Sequence, residues 1–110
     1  MKITKKKLFT LLDSDEKSIS LFHDSIINNY DNFKYEHLIL NISGNFNIKT
    51  EDLFVFLDVS EKHREKNLSF VIIAKGIDFD ELPDELIVAP TLTEAKDILE
   101  MEAIERDLGF

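Results

Sequence analysis

The run Leu68-Ser69-Phe70-Val71-Ile72-Ile73-Ala74 is continuous and almost wholly apolar, and Gly76 follows close behind it. A strand with one face in water alternates polar and apolar side chains. This run does not alternate, so both of its faces must be covered, the condition met inside parallel sheets flanked by helices. It therefore predicts an interior strand of an α/β sheet, and the flanking sequence must supply the covering helices.

Upstream, a helix is predicted to open near Thr50, whose hydroxyl is expected to cap it while Glu51 and Asp52 oppose the helix dipole. Leu53, Phe54, Phe56 and Leu57 are its expected buried residues, and residues 61–66 run out polar, with His63 on the surface. Before it, His37 to Ile42 is a second short apolar run, ended by Ser43-Gly44-Asn45, and reads as a buried strand. Ile19, Phe22, Ile26, Tyr30 and Phe33 recur three and four apart, which predicts an amphipathic helix with Ser18 as its N-cap. Residues 3–12 read as one strand or a short hairpin, with no glycine to decide between them.

Downstream, Glu85 to Val88 reads as a short strand. Pro90 then precedes Thr91-Leu92-Thr93-Glu94, a capping-box pattern in which Thr91 and Glu94 would satisfy backbone N–H groups reciprocally. Leu92, Ala95, Ile98, Leu99, Met101, Ile104 and Leu108 give the last helix a broad apolar face. Arg106 sits in its last turn, and Gly109 suits a left-handed closing residue. The order is β-α-β-α-β-β-α. It predicts an α/β fold built on a mainly parallel four- to five-stranded sheet with helices packed on it.

The 110 residues are expected to form one domain, and an apolar fraction of 44% is that of a packed globule. With no cysteine, disulfides and thiolate metal sites are excluded. The apolar run from Leu8 to Leu12 is too short for a secretory leader or a membrane span, so a cytoplasmic protein is expected. Residues 1–76 carry 11 acids and 11 bases, whereas residues 77–110 carry 11 acids against Lys96 and Arg106 alone. The whole net charge of −9 thus lies in the last third. Such a surface repels nucleic acid and favours a basic protein partner, or simply keeps the chain soluble.

Chemistry-bearing patterns are absent. His23, His37 and His63 are dispersed and form no paired ligand motif. Gly44, Gly76 and Gly109 cannot compose a phosphate loop, and no G-x-S-x-G turn exists. The acidic stretch 78–85 lacks the alternating oxygens and central glycine of a calcium loop, and Pro83 stiffens its middle. No catalytic residue, metal site or cofactor is expected.

Leu40-Asn41-Ile42-Ser43, followed by Phe46-Asn47-Ile48-Lys49-Thr50-Glu51-Asp52-Leu53, resembles the signature region of STAS domains, the fold of the anti-sigma-factor antagonists. In that family a strand ending like LDLS leads to an I-D-S-S-G-L turn that opens a helix, and the second serine is the switchable phosphorylation site. In register, Ile48 and Leu53 match, Thr50 takes the first serine's place and Glu51 that of the phosphorylated one, while Lys49 and Asp52 replace the aspartate and glycine. The order of elements fits over most of the chain. The segment between the strands at Leu68 and Glu85 is too short for the family's helix there, which should be trimmed or lost. The run from Val88 to Phe110 is similar to a narrower group of short bacterial STAS-like chains that often carry the label ribonuclease Z. That label implies metal-dependent RNA processing through an H-x-H-x-D-H motif, and this sequence contains none.

The resemblance implies a non-enzymatic regulatory module that binds a protein through Thr50, Glu51, Asp52 and Phe54. Glu51, at the phospho-site position, would leave it unswitchable there. Thr50 stays a possible hydroxyl acceptor beside its capping role. A second candidate surface is the acidic face of the last helix, with Glu94, Asp97, Glu105 and Phe110, where Phe110 could anchor a partner or a homodimer or tuck back onto its own domain.

Overall fold

The computed structural model describes residues 1–42 and 48–109. The N-terminal ambiguity resolves as a hairpin: β1 (Lys2–Lys5) pairs antiparallel with β2 (Thr10–Asp13), and the Lys6 N–H donates to the Phe9 carbonyl (2.8 Å) to close the turn. Next come α1 (Ile19–Asn28), a 3-10 turn (Tyr30–Asn32) and β3 (Leu38–Asn41). A longer 3-10 turn (Thr50–Phe56) runs directly into α2 (Leu57–Glu65). The chain ends with β4 (Phe70–Ile73), a 3-10 turn (Phe79–Glu81), β5 (Ile87–Ala89) and α3 (Leu92–Asp107).

The five strands lie in chain order, β1-β2-β3-β4-β5, and every pairing after the hairpin is parallel. The mainly parallel α/β sheet is as expected. So is the loss of a full helix between β4 and β5, where three residues of 3-10 turn remain. β5 begins at Ile87, two residues later than the expected Glu85, because Pro83-Asp84-Glu85 is spent on the approach.

The period of two along each strand splits the core into two clusters on opposite faces. Leu12, Leu38, Leu40, Phe70 and Ile72 point to one face, where α1 contributes Phe22 and Ile26 and the Thr50 turn contributes Leu53 and Phe56. Ile39, Val71 and Ile73 point to the other, met by Ala95 and Leu99 of α3. The non-alternating run that predicts coverage on both sides is thus covered on both sides. Each side chain buried this way contributes about 1.5–3 kcal/mol.

Helix termini follow their local chemistry. The Ser18 hydroxyl accepts from the Leu21 N–H (3.2 Å) and the Thr91 hydroxyl from the Glu94 N–H (3.2 Å). Two positive-φ residues stop helices: Asn67 (62°) closes α2, and Gly109 (82°) closes α3 as its position suggested. Asn is the side chain that tolerates this region best after glycine.

Packing departs from expectation in α3 and at His63. α3 buries Ala95 and Leu99 against the sheet with Ile98 partly buried beside them, while Met101 (62% exposed), Ile104 (59%) and Leu108 (66%) face away from it. Its apolar residues divide between two opposite sides rather than forming one broad buried face. His63, read as a surface residue of a polar helix end, is fully buried. Its Nε2–H donates to the Glu36 carbonyl (2.6 Å), which leaves Nδ1 to accept from the Tyr30 hydroxyl (2.6 Å). Lys66 in turn donates to the Tyr30 oxygen (2.9 Å). With both ring nitrogens satisfied by neutral groups, burial pushes the imidazole down to about 4, and it stays uncharged.

Candidate functional site

The segment that resembles the STAS signature enters α2 by a tight 3-10 turn rather than by a Thr-capped helix. Lys49 holds the cap position. The Asp52 carboxylate accepts from the Lys49 N–H (2.8 Å), the half of a capping box that an acidic residue at this position can supply. Thr50 does not cap. It is 7% exposed, and its hydroxyl accepts from the backbone N–H of Asp78 (3.0 Å), tying this turn to the one that precedes β5. Ser43 to Asn47, the first half of the signature, lie outside the described residues.

Glu51 and Asp52 stand exposed beside two outward apolar side chains, Phe54 (40% exposed) and Val55. Phe54 was expected in the core. The 3-10 turn brings Leu53 and Phe56, three apart, onto the same inner side and leaves Phe54 and Val55 between them facing water. Thr50, Glu51, Asp52 and Phe54 therefore do share one turn, but only the last three are exposed.

The second candidate set lies on the other side of the sheet. Glu94, Asp97 and Glu105 are exposed on α3, and Phe110 is outside the described residues. Sequence reading did not join these acids to their apolar neighbours. Spacings of four, three and four place Asp97, Met101, Ile104 and Leu108 along one outer side of the helix. The structure does not bring the two candidate sets together, since the Thr50 turn packs on one sheet face and α3 on the other.

A polar cluster fixes α3 to the body. Glu102 accepts from Ser69 Oγ (2.6 Å) and Arg64 Nη1 (3.2 Å), and Arg64 Nη2 also donates to the Phe70 carbonyl (3.0 Å). Arg106 donates to Ser69 Oγ (3.3 Å). His37, immediately before β3, accepts the Ser69 N–H at Nδ1 (2.9 Å). Burial, then the nearby Arg106, holds His37 below its usual value.

A third feature has no counterpart in the sequence reading. α3 packs mainly against β4 and β5, which leaves Phe9 and Leu11 on the β1–β2 side of that sheet face only partly buried. The result is a groove of about 720 Å³ between the hairpin and α3. Its residues come from chain positions nearly a hundred apart, and only the sheet order unites them. Among the described residues, no three His, Asp or Glu side chains converge to hold a metal, and no helix is long and apolar enough to cross a membrane.

No family model matches the chain, and no curated protein matches it. Among solved structures, a chain from work on the molecular architecture of the stressosome, a signal integration and transduction hub, superposes with a TM-score of 0.58. The match covers 93% of this chain and 98% of that one at 18% identity. The chain has a STAS-like fold, as the signature region implied.

Proposed function

We propose that the chain is a single STAS-like domain over residues 1–110, acting as a non-enzymatic, cytoplasmic regulatory module that binds a basic protein partner. The observation that carries this reading is the pairing of exposed apolar side chains with fixed negative charge at the entry to α2. Phe54 and Val55 stand in water beside Glu51 and Asp52. An aromatic anchor ringed by carboxylates suits a partner that presents an apolar pocket edged with Lys or Arg. The similar stressosome chain comes from a signal-transduction assembly, which agrees with a role in binding rather than turnover.

Under this reading the phospho-switch is lost. Glu51 occupies the place of the modified serine with a permanent charge, and Thr50 is sealed behind the Asp78 turn. RNA processing, as the ribonuclease Z label implies, gains no support from the site chemistry. The test is capture of the partner by wild type, by Phe54→Ser with Glu51→Ser, and by Asp97→Lys with Glu105→Lys. Loss on the first pair alone supports the reading, and loss on the second pair alone moves the interface to α3.

A self-associating module is the second reading, favoured by the uncovered Met101, Ile104 and Leu108 on α3. An isologous helix pair would cover all three at once. Sedimentation of wild type against Ile104→Glu tests it, with a dimer expected only for the wild type.

A further inference from the structure

We propose that the groove between the β1–β2 hairpin and α3 is a binding site for a small amphipathic anion, an alkyl carboxylate. The floor and walls are apolar: Phe9 and Leu11 from the hairpin side, Leu92, Leu99 and Ala103 from α3. Its volume of about 720 Å³ falls in the range of small-molecule sites, which run from about 300 to 1,000 Å³. A concave, apolar site of that size suits a flexible hydrocarbon chain.

The charge around it specifies the head group. Lys2, Lys6, Lys7, Lys96 and Arg106 line the groove, against two carboxylates, Asp13 and Glu100. This local excess of positive charge sits in a chain of net charge −9. Lys96 and Arg106 are the two bases of residues 77–110, and both are found here. Lys2, Lys6, Lys7 and Lys96 make no ion pair among the described residues, a condition they share with Lys17, Lys49, Lys62, Lys66 and Lys75. What sets the groove apart is the clustering of its cations. Lys96 Nζ instead lies 5.9 Å from the Phe9 ring centre, at the meeting of apolar floor and charged rim. His37, which spends Nδ1 on the Ser69 N–H and so keeps its proton on Nε2, also lines the groove.

A carboxylate at the rim would satisfy cations that the fold leaves unpaired, while its tail covers Phe9 and Leu11, which α3 leaves only partly buried. A free amphiphile fits better than a bilayer. The surface is concave, and the chain's overall negative charge opposes approach to anionic lipid.

The test is calorimetric titration of the full chain with decanoate below its micelle concentration, matched against decyltrimethylammonium, which carries the same tail with the opposite charge. One decanoate per chain is expected, weakened by salt, with the cationic amphiphile at least tenfold weaker. Amide shifts on titration should fall on Phe9, Leu11 and Leu99 and spare Phe54. Lys96→Glu and Lys6→Glu, both at exposed side chains, should each lower decanoate affinity about tenfold with an unchanged melting temperature. Equal binding of the two amphiphiles, indifference to both charge reversals, or no binding would overturn the proposal. So would a dimer that Lys96→Glu dissociates and Ile104→Glu does not, showing that a second copy fills the groove, or binding to anionic vesicles but not to free decanoate.

Discussion

The backbone N–H of Asp78 donates to Thr50 Oγ1 at 3.0 Å, with the threonine almost wholly buried. The hydroxyl at the entry to α2 is thus a structural acceptor holding two 3-10 turns together. Thr50→Ser keeps the acceptor and should cost little. Thr50→Val leaves the Asp78 N–H without its partner and should cost about 1–3 kcal/mol, read as a lower urea midpoint with an unchanged slope. Incubation of the folded protein with kinases should leave Thr50 unmodified.

The buried His63 gives stability a pH dependence of definite sign. Its folded pKa of about 4 lies below the ordinary value of 6.5, lowered first by burial and then by the charge of Lys66. As pH falls, the unfolded chain takes up the proton first. The stabilisation is therefore complete above about 6.5 and is lost as pH falls towards 4, by about 3 kcal/mol over that window. Urea unfolding at steps between pH 7 and pH 4 reads the slope. Tyr30→Phe removes the donor to Nδ1 and should cost a further 1–3 kcal/mol or so at pH 7.

What could be read from sequence divides along physical lines. The Leu68–Ala74 run and the Ile19, Phe22 and Ile26 part of the stripe carried enough periodicity to fix strand, helix and coverage. Tyr30 and Phe33, expected on the same helix, fall on the 3-10 turn after it and at its end. Ser18, Thr91 and Gly109 marked termini by local chemistry. Thr50, His63 and the groove resisted for one shared reason. Each depends on a partner distant in the chain: Asp78 for Thr50, Tyr30 and Glu36 for His63, and the β1–β2 hairpin for α3. Phe54 failed differently. It is expected inside a helix opening near Thr50, but the 3-10 turn, three residues per turn, presents Leu53 and Phe56 to the core instead.

The two-sided character of α3 separates two leucine-sized side chains on one helix. Leu99 packs with Val71, Ile73 and Ala89, whereas Ile104 faces water. Leu99→Ala should destabilise by about 2–5 kcal/mol through lost burial and a cavity. Ile104→Ala should stay within about 0.5 kcal/mol. Thermal melts of the two variants under one buffer compare them directly.

Glu102 is the polar counterpart of Leu99 in holding α3 down. Its carboxylate takes Ser69 Oγ and Arg64 Nη1, so one side chain links α3 to the residue before β4 and to α2. Hydrogen bonds to a charged acceptor contribute more than neutral ones, about 1.5–3 kcal/mol. Partial exposure of both Glu102 and Arg64 moves the expectation to the lower end. Glu102→Gln keeps one acceptor oxygen and should lose about half of what Glu102→Ala loses. The site of the loss distinguishes this anchor from a general stabiliser. In Glu102→Ala, amide exchange should accelerate from Met101 to Leu108 while the strands β3 and β4 keep their protection. Uniform acceleration across the sheet would instead show that α3 and the sheet unfold as one cooperative unit.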